Sequence, residues 1–144
     1  MSEDTEAEAN KALIRDYLAG VDTADIGVID RFVDPAYADH NPPPFQQGND
    51  REAVRGAFEY ALKAFSDFQH EVVTQYADGD TVITRILARG RHTGDFMGVP
   101  ATNKDVSMEG IAIHRVADGK VVEHWAQVDA INLLMQIGAL PPLG

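Results

Sequence analysis

The chain of 144 residues contains no cysteine. That excludes disulfides, thiolate metal sites and cysteine nucleophiles. Basic residues are scarce: 12 Lys and Arg stand against 23 Asp and Glu, a formal net charge of −11. Such a surface repels phosphate backbones and anionic lipid, so no nucleic-acid partner is expected. No apolar run approaches the roughly 18 residues of a membrane span, so no membrane partner is expected either. The start, "MSEDTEAEAN", is acidic and polar and lacks the basic and apolar parts of a secretory signal. By elimination the expected compartment is cytoplasmic. There is no Gly-rich phosphate loop and no serine elbow. The histidines His40, His70, His92, His114 and His124 show no paired spacing such as H-x-x-x-H. No metal and no organic cofactor is expected from them.

Apolar residues make up 44% of the chain, enough for a core, and there is no internal repeat and no Gly/Ser linker. The length is that of one domain, so 1–144 is read as a single unit with residues 1–8 flexible.

Helical spacing comes first. Ala9, Ala12, Leu13, Tyr17, Leu18 and Val21 fall on one face, with Gly20 as a stop. Ile26, Ile29, Phe32 and Val33 mark a shorter helix that Asp34-Pro35 ends. "PAYADHNPPPFQQGND" (residues 35–50) reads as a loop or irregular edge segment, because its prolines cannot donate ladder hydrogen bonds. "NDREAVRGAFEYALKAF" is the clearest helix, with Asn49 as cap, Glu52 three residues on, and a stripe of Val54, Ala57, Phe58, Ala61, Leu62 and Phe65.

From Phe68 the pattern turns to strands. "FQHEVVTQYA", "TVITRILARGRHTG", "VSMEGIAIHRV" and "KVVEHWAQV" are separated by a turn at Asp78–Asp80, a loop "GDFMGVPATNKD" and a tight turn "ADGK". Gly90 and Gly110 sit inside strands, where glycine often marks a bulge or bend. Helices followed by antiparallel strands predict an α+β fold, with helices packed on one face of a strongly curved antiparallel sheet. By alternation Gly110, Ala112 and His114 share one face, as do His124, Ala126 and Val128.

The segments "DPAYADHNPP", "FSDFQHEV", "GRHTGDFMGVPATNKDVSMEGIAIHRVADGKVVEHW" and "LLMQIGALP" resemble the SnoaL-like polyketide cyclase, or ester cyclase, family of the nuclear transport factor 2-like superfamily. The resemblance runs from about Tyr17 to Pro141. It implies a cone-shaped α+β barrel around a cavity. It also implies cofactor-independent aldol-type ring closure on a methyl-ester intermediate, with an aspartate as acid and base. A carboxylate does this when an apolar cavity raises its pKa toward neutrality. Position by position, that aspartate falls on Ala126. A polar or histidine position of the preceding strand falls on Ala112, and its inward neighbour on Gly110. The expected catalytic wall is then Gly, Ala and Ala, and a methyl group transfers no proton.

Other residues remain for the chemistry. Asp129 opens a helix carrying Ile131, Leu133, Leu134, Met135 and Ile137. Its main reading is a cap worth about 1 kcal/mol, and its alternative is a base displaced by three residues. His124 faces the cavity if the alternation holds, and exchanges protons near neutral pH. His40, in the loop that closes the cone in relatives, forms an acid/base pair with Asp39 in the functional reading and is structural in the other. His92, Phe96, Met97 and Met108 read as pocket lining. His70 and His114 read as structural. Tyr17 matches an aromatic position that lines the cavity of cyclases.

Glu123, Trp125 and Gln127 alternate onto the opposite face of the last strand. In relatives that outer face packs on a second subunit, so a homodimer is expected.

The leading reading is a small enzyme acting on an apolar, oxygenated small molecule, as a cyclase, isomerase or lyase. His124, His40 and Asp129 supply protons, while Tyr17, His92, Phe96, Met97, Met108 and Trp125 hold the substrate. The alternative is a non-catalytic small-molecule-binding protein that kept the cone and lost the acid.

Overall fold

A computed structural model of the chain describes residues 3–141. Four helices and five strands follow in the order α1 (Glu3–Asp22), α2 (Val28–Phe32), β1 (Val33–Asp39), α3 (Arg51–Ala64), β2 (Phe65–Asp78), β3 (Thr81–His92), β4 (Asp105–Ala117), β5 (Lys120–Val128) and α4 (Ala130–Gln136). The α+β class expected from the sequence holds. Of residues 1–8, expected to be flexible, residues 3–8 belong to α1 and residues 1–2 lie outside the described residues.

α1 buries Ile14, Tyr17, Leu18 and Val21, the i, i+3, i+4, i+7 stripe of an amphipathic helix. Gly20 does not stop it. A Cβ there would lie 2.8 Å from Val28 Cγ1, so the glycine lets α2 pack close while α1 runs on to Asp22. That aspartate fastens the helix end to the sheet. Its carboxylate accepts from the His70 amide at 2.8 Å and meets His70 Nδ1 at 2.7 Å.

The segment expected as a loop begins as a strand. β1 runs parallel to β5, with Val33 opposite Val121 and Asp39 opposite His124. The register shifts between Val33 and Ala38, and Pro35 sits inside that irregular stretch. On an edge strand a missing N–H breaks no ladder bond, so proline is tolerated. The sheet is therefore mixed rather than antiparallel throughout. Its order is β1-β5-β4-β3-β2, and because β1 and β2 remain edges it does not close into a barrel.

Asp50, one residue after the expected cap, caps α3 by accepting from the Ala53 amide at 2.9 Å. Glu52 turns instead to Arg55. The β4–β5 turn places Asp118 and Gly119 at φ 51° and 75°, the positive pair that a tight right-twisted hairpin requires. The bulge expected at Gly90 lies opposite it, in β2. There Ser66 pairs with Arg91 and Gln69 with Arg89, leaving two residues unmatched. Gly110 shows no bulge, but a Cβ there would lie 2.8 Å from Val128 Cγ1.

Two apolar clusters fill the concave side of the sheet. One joins α1, α2 and β1 to the inner residues Val82, Val116 and Val121. The other gathers Phe65, Phe96, Val106, Leu133 and Ile137. Between them the sheet stays open to a cavity.

Candidate active site

The cavity has a volume of about 390 Å³ and takes lining residues from both clusters. Pairing builds its wall. His114 lies opposite His124, Ala112 opposite Ala126, and Gly110 opposite Val128, and all six line the void. The alternation expected from the sequence therefore holds on both strands. The small side chains at 110, 112 and 126 leave the space in front of the two histidines empty.

β1 supplies the third wall. Its period of two turns Tyr37 and Asp39 inward and His40 outward. Asp39 is 3% exposed. Its carboxylate meets His124 Nδ1 at 3.1 Å and accepts from Gln46 Nε2 at 3.1 Å and from the Asn41 amide at 3.0 Å. Burial alone would raise its pKa. The hydrogen bond and charge of His124, with the Asn41 and Gln46 donors, outweigh burial and lower it. An ionised carboxylate only accepts, so His124 Nδ1 carries the proton of this hydrogen bond, and Nε2 is the ring nitrogen left to the cavity.

Three neutral polar groups surround this pair. Burial and then the charge of Asp39 push the Tyr17 phenol up. Burial, the Asp39 charge and a hydrogen bond with Asp39 do the same at Tyr37. Both phenols therefore stay protonated at neutral pH. His114 is 4% exposed. Burial, reinforced by the charge of His124, pushes its pKa well below the usual histidine value, against an opposing pull from Asp39. Its ring lies 4.9 Å from that of His124 and 6.2 Å, edge-on, from Tyr17. Its Nδ1 has no hydrogen-bond partner among the described residues.

The mouth is apolar. Phe45 stacks on Tyr60 at 4.9 Å and meets the Phe96 ring at 5.5 Å. The Tyr60 hydroxyl accepts from the Met97 amide at 2.6 Å. Met97 and Val128 line the cavity and are 43% and 48% exposed, so both stand where it meets solvent. Tyr17, Phe96, Met97 and Met108 line the cavity, as the sequence suggested.

Four expected site residues are not brought there. His40 stacks on Trp125 at 4.7 Å, with Nε2 3.8 Å from Glu123, because its neighbour Asp39 takes the inward position. Trp125 itself faces outward by strand alternation. Asp129 caps α4, accepting from the Asn132 amide at 3.1 Å. His92 is fully buried and clasps the base of the loop after β3. Its Nδ1 meets Thr102 Oγ1 at 2.9 Å, and its backbone pairs with Asn103 and Lys104. Reading residues 35–50 as loop hid Tyr37 and paired Asp39 with His40 rather than with His124, although the spacing of two between Tyr37 and Asp39 is the signal of a strand face. His114, read as structural, belongs to the wall.

Among the described residues no group of three or more His, Asp or Glu side chains is placed to hold a metal ion. No described helix is long and apolar enough to cross a membrane.

Comparison with known proteins agrees with this architecture. The model of the SnoaL-like polyketide cyclase family matches residues 11–137. The chain is 30% identical over 112 residues to aklanonic acid methyl ester cyclase DauD of Streptomyces sp. strain C5, covering 77% of this chain and 67% of that protein. It is 27% identical over 113 residues to nogalonic acid methyl ester cyclase of Streptomyces nogalater, covering 76% and 83%. Among solved structures, AclR from Streptomyces galilaeus superposes with a TM-score of 0.83 at 32% identity, covering 94% of this chain and 84% of that one.

Proposed function

The chain belongs to the SnoaL-like polyketide cyclase family, and we propose that it is itself a cofactor-independent cyclase of a neutral, apolar, oxygenated small molecule. The observation that carries this reading is the Asp39–His124 pair in the cavity wall. It supplies a proton-handling group where Ala126 leaves none. His124 Nε2 removes a proton from a carbon flanked by carbonyl groups. The enolate carbon bonds to an electrophilic carbonyl carbon of the same molecule, whose oxygen becomes an alkoxide. That alkoxide takes the proton back from the imidazolium, so the ring closes with no net loss of atoms. Asp39 stays ionised, orients the imidazole and stabilises its charged form. Tyr17, Phe96, Met97 and Met108 hold the substrate.

The relatives are named for methyl ester substrates. A buried carboxylate in the wall repels a free acid and leaves an ester untouched, which supports a neutral substrate here. The non-catalytic alternative leaves the contact between the half-buried His124 imidazole and the Asp39 carboxylate without a purpose. Purified protein incubated with aklanonic acid methyl ester, the compound for which one relative is named, tests the reading by product chromatography. Ring closure that persists unchanged in His124→Ala sinks it.

The finer reading includes a homodimer. Tyr76, Ile83, Ile113 and Trp125 form one registered row across four strands on the outer face, with Tyr76 62% and Ile111 47% exposed. Such an apolar sheet face favours a second copy. Sedimentation is expected to give a dimer that Ile111→Glu dissociates; a monomer at micromolar concentration removes this part. The cytoplasm is the proposed compartment, and the cysteine-free composition fits it.

A further inference from the structure

We infer that His114 is the substrate-anchoring residue of this site: its neutral imidazole donates a hydrogen bond to the carbonyl oxygen of the ligand whose adjacent carbon faces His124. The inference rests on the cavity reading above.

The inward positions of β4 are otherwise apolar or bare: Val106, Met108, Gly110, Ala112 and Val116. A histidine in that row costs desolvation, and an unmatched buried nitrogen adds to that cost. Nothing in the fold offsets this at Nδ1. His70, in contrast, ties both its ring and its amide to Asp22. The His114 ring therefore carries hydrogen-bonding capacity that the fold does not use, and the void left by Ala112 and Ala126 lies beside it. The ring lines the cavity, and a flip about χ2 exchanges Nδ1 with Cδ2 and Nε2 with Cε1.

The surrounding groups fix what the ring does there. Tyr17 packs edge-on from α1, His124 lies beside it on β5, and Asp39 is the nearest carboxylate, from β1. Asp39 is committed to His124 and Gln46. Burial and the neighbouring imidazole keep His114 uncharged, so it polarises a carbonyl without delivering a proton to it. Two histidines on paired strands then hold separate roles. One binds the oxygen, and the other exchanges the proton on the adjacent carbon.

The test compares 1-tetralone with tetralin, its carbonyl-free counterpart, by calorimetry on the full chain. Wild type is expected to bind the ketone about tenfold more tightly. His114→Phe removes that preference while tetralin still binds, and His114→Asn, which keeps a donor, restores part of it. Nitrogen-15 spectra of wild type give a readout that needs no variant, since a His114 ring resonance moves with the ketone and not with tetralin. Equal binding of the two ligands by wild type, an undiminished preference in His114→Phe, or an unmoved resonance overturns the anchor. If the preference vanishes in His114→Phe but ring closure persists in His124→Ala, the anchor stands and the acid–base reading falls. The reverse pattern sinks the anchor alone.

Discussion

His124 and Asp39 sit opposite each other on strands that run in the same direction, and their side chains meet at 3.1 Å. The two residues are 85 positions apart in sequence. Their meeting depends on the first strand lying beside the last. Replacing His124 by alanine is expected to lower kcat at least about 100-fold, the usual worth of a positioned general base. Asp39→Asn removes a buried, charge-assisted hydrogen bond worth about 2 kcal/mol. It is expected to lower Tm by roughly 6 °C and to lower kcat with little change in KM. A kcat unaffected by either substitution argues that the pair is only structural.

Two groups of the site make stability fall in acid. The His114 pKa is depressed in the folded state, so the unfolded chain binds that proton more readily. The resulting loss begins as pH drops below the ordinary histidine value of 6.5, and it grows by up to about 1.4 kcal/mol per pH unit. The Asp39 carboxylate is also depressed. Its contribution is present above its unfolded value and lost as pH falls through the lower folded one. Urea melts at pH 7, 6 and 5 are expected to show a declining midpoint in wild type. The decline flattens over that range in His114→Phe, and further melts at pH 4 and 3 are expected to show a flattened decline only in Asp39→Asn.

Position 126 distinguishes the histidine's role from that of an acid on the same wall. Its side chain lines the cavity next to His124, at the place where the family resemblance puts an aspartate. If His124 replaces that acid in function, a carboxylate restored there compensates for its loss. Ala126→Asp in the His124→Ala background is expected to recover at least about tenfold in kcat over His124→Ala alone, since a positioned base is worth more than that. Recovery is expected only at pH values where the new carboxyl is ionised. No recovery in a folded double variant argues that cavity and substrate do not suit an acid at that point.

Glycines at two places are expected to respond in opposite senses. A Cβ at Gly94 would collide with the Lys63 carbonyl oxygen, where the loop after β3 docks on the end of α3. Gly94→Ala is therefore expected to cost about 1–3 kcal/mol and to raise KM, because the same loop carries Phe96 and Met97. Gly56, inside α3, has nothing within 4 Å of its added Cβ. Gly56→Ala is expected to stabilise by about 0.5–1 kcal/mol through helix propensity. Thermal melts of the two single variants check both signs.

Most of the architecture was legible in the sequence because period carries burial. The α1 stripe, the four later strands and their turns, and the shared face of His114, His124 and Ala126 all follow from spacing. The segment holding Asp39 was not legible for a specific reason. Prolines mark it as loop in any local reading, while its strand character comes from parallel pairing with β5, more than 80 residues away. That pairing also settles which of two adjacent residues serves the cavity. The sequence offers Asp39 and His40 side by side, and only the register decides that the carboxylate points in and the imidazole lies against Trp125. Gly20 misled differently. It reads as a helix stop but is a contact point for Val28, a role that only tertiary packing assigns.

The alternation in β1 has a bearing on how such a site changes in descent. An insertion or deletion of one codon between Pro35 and Asp39 would exchange the two neighbours, sending the acid against the indole and a second imidazole into the hollow. Point substitution at Ala126 or Ala112, on the neighbouring strands, leaves that frame unchanged. The meeting of acid and imidazole thus hangs on the frame of one short marginal strand.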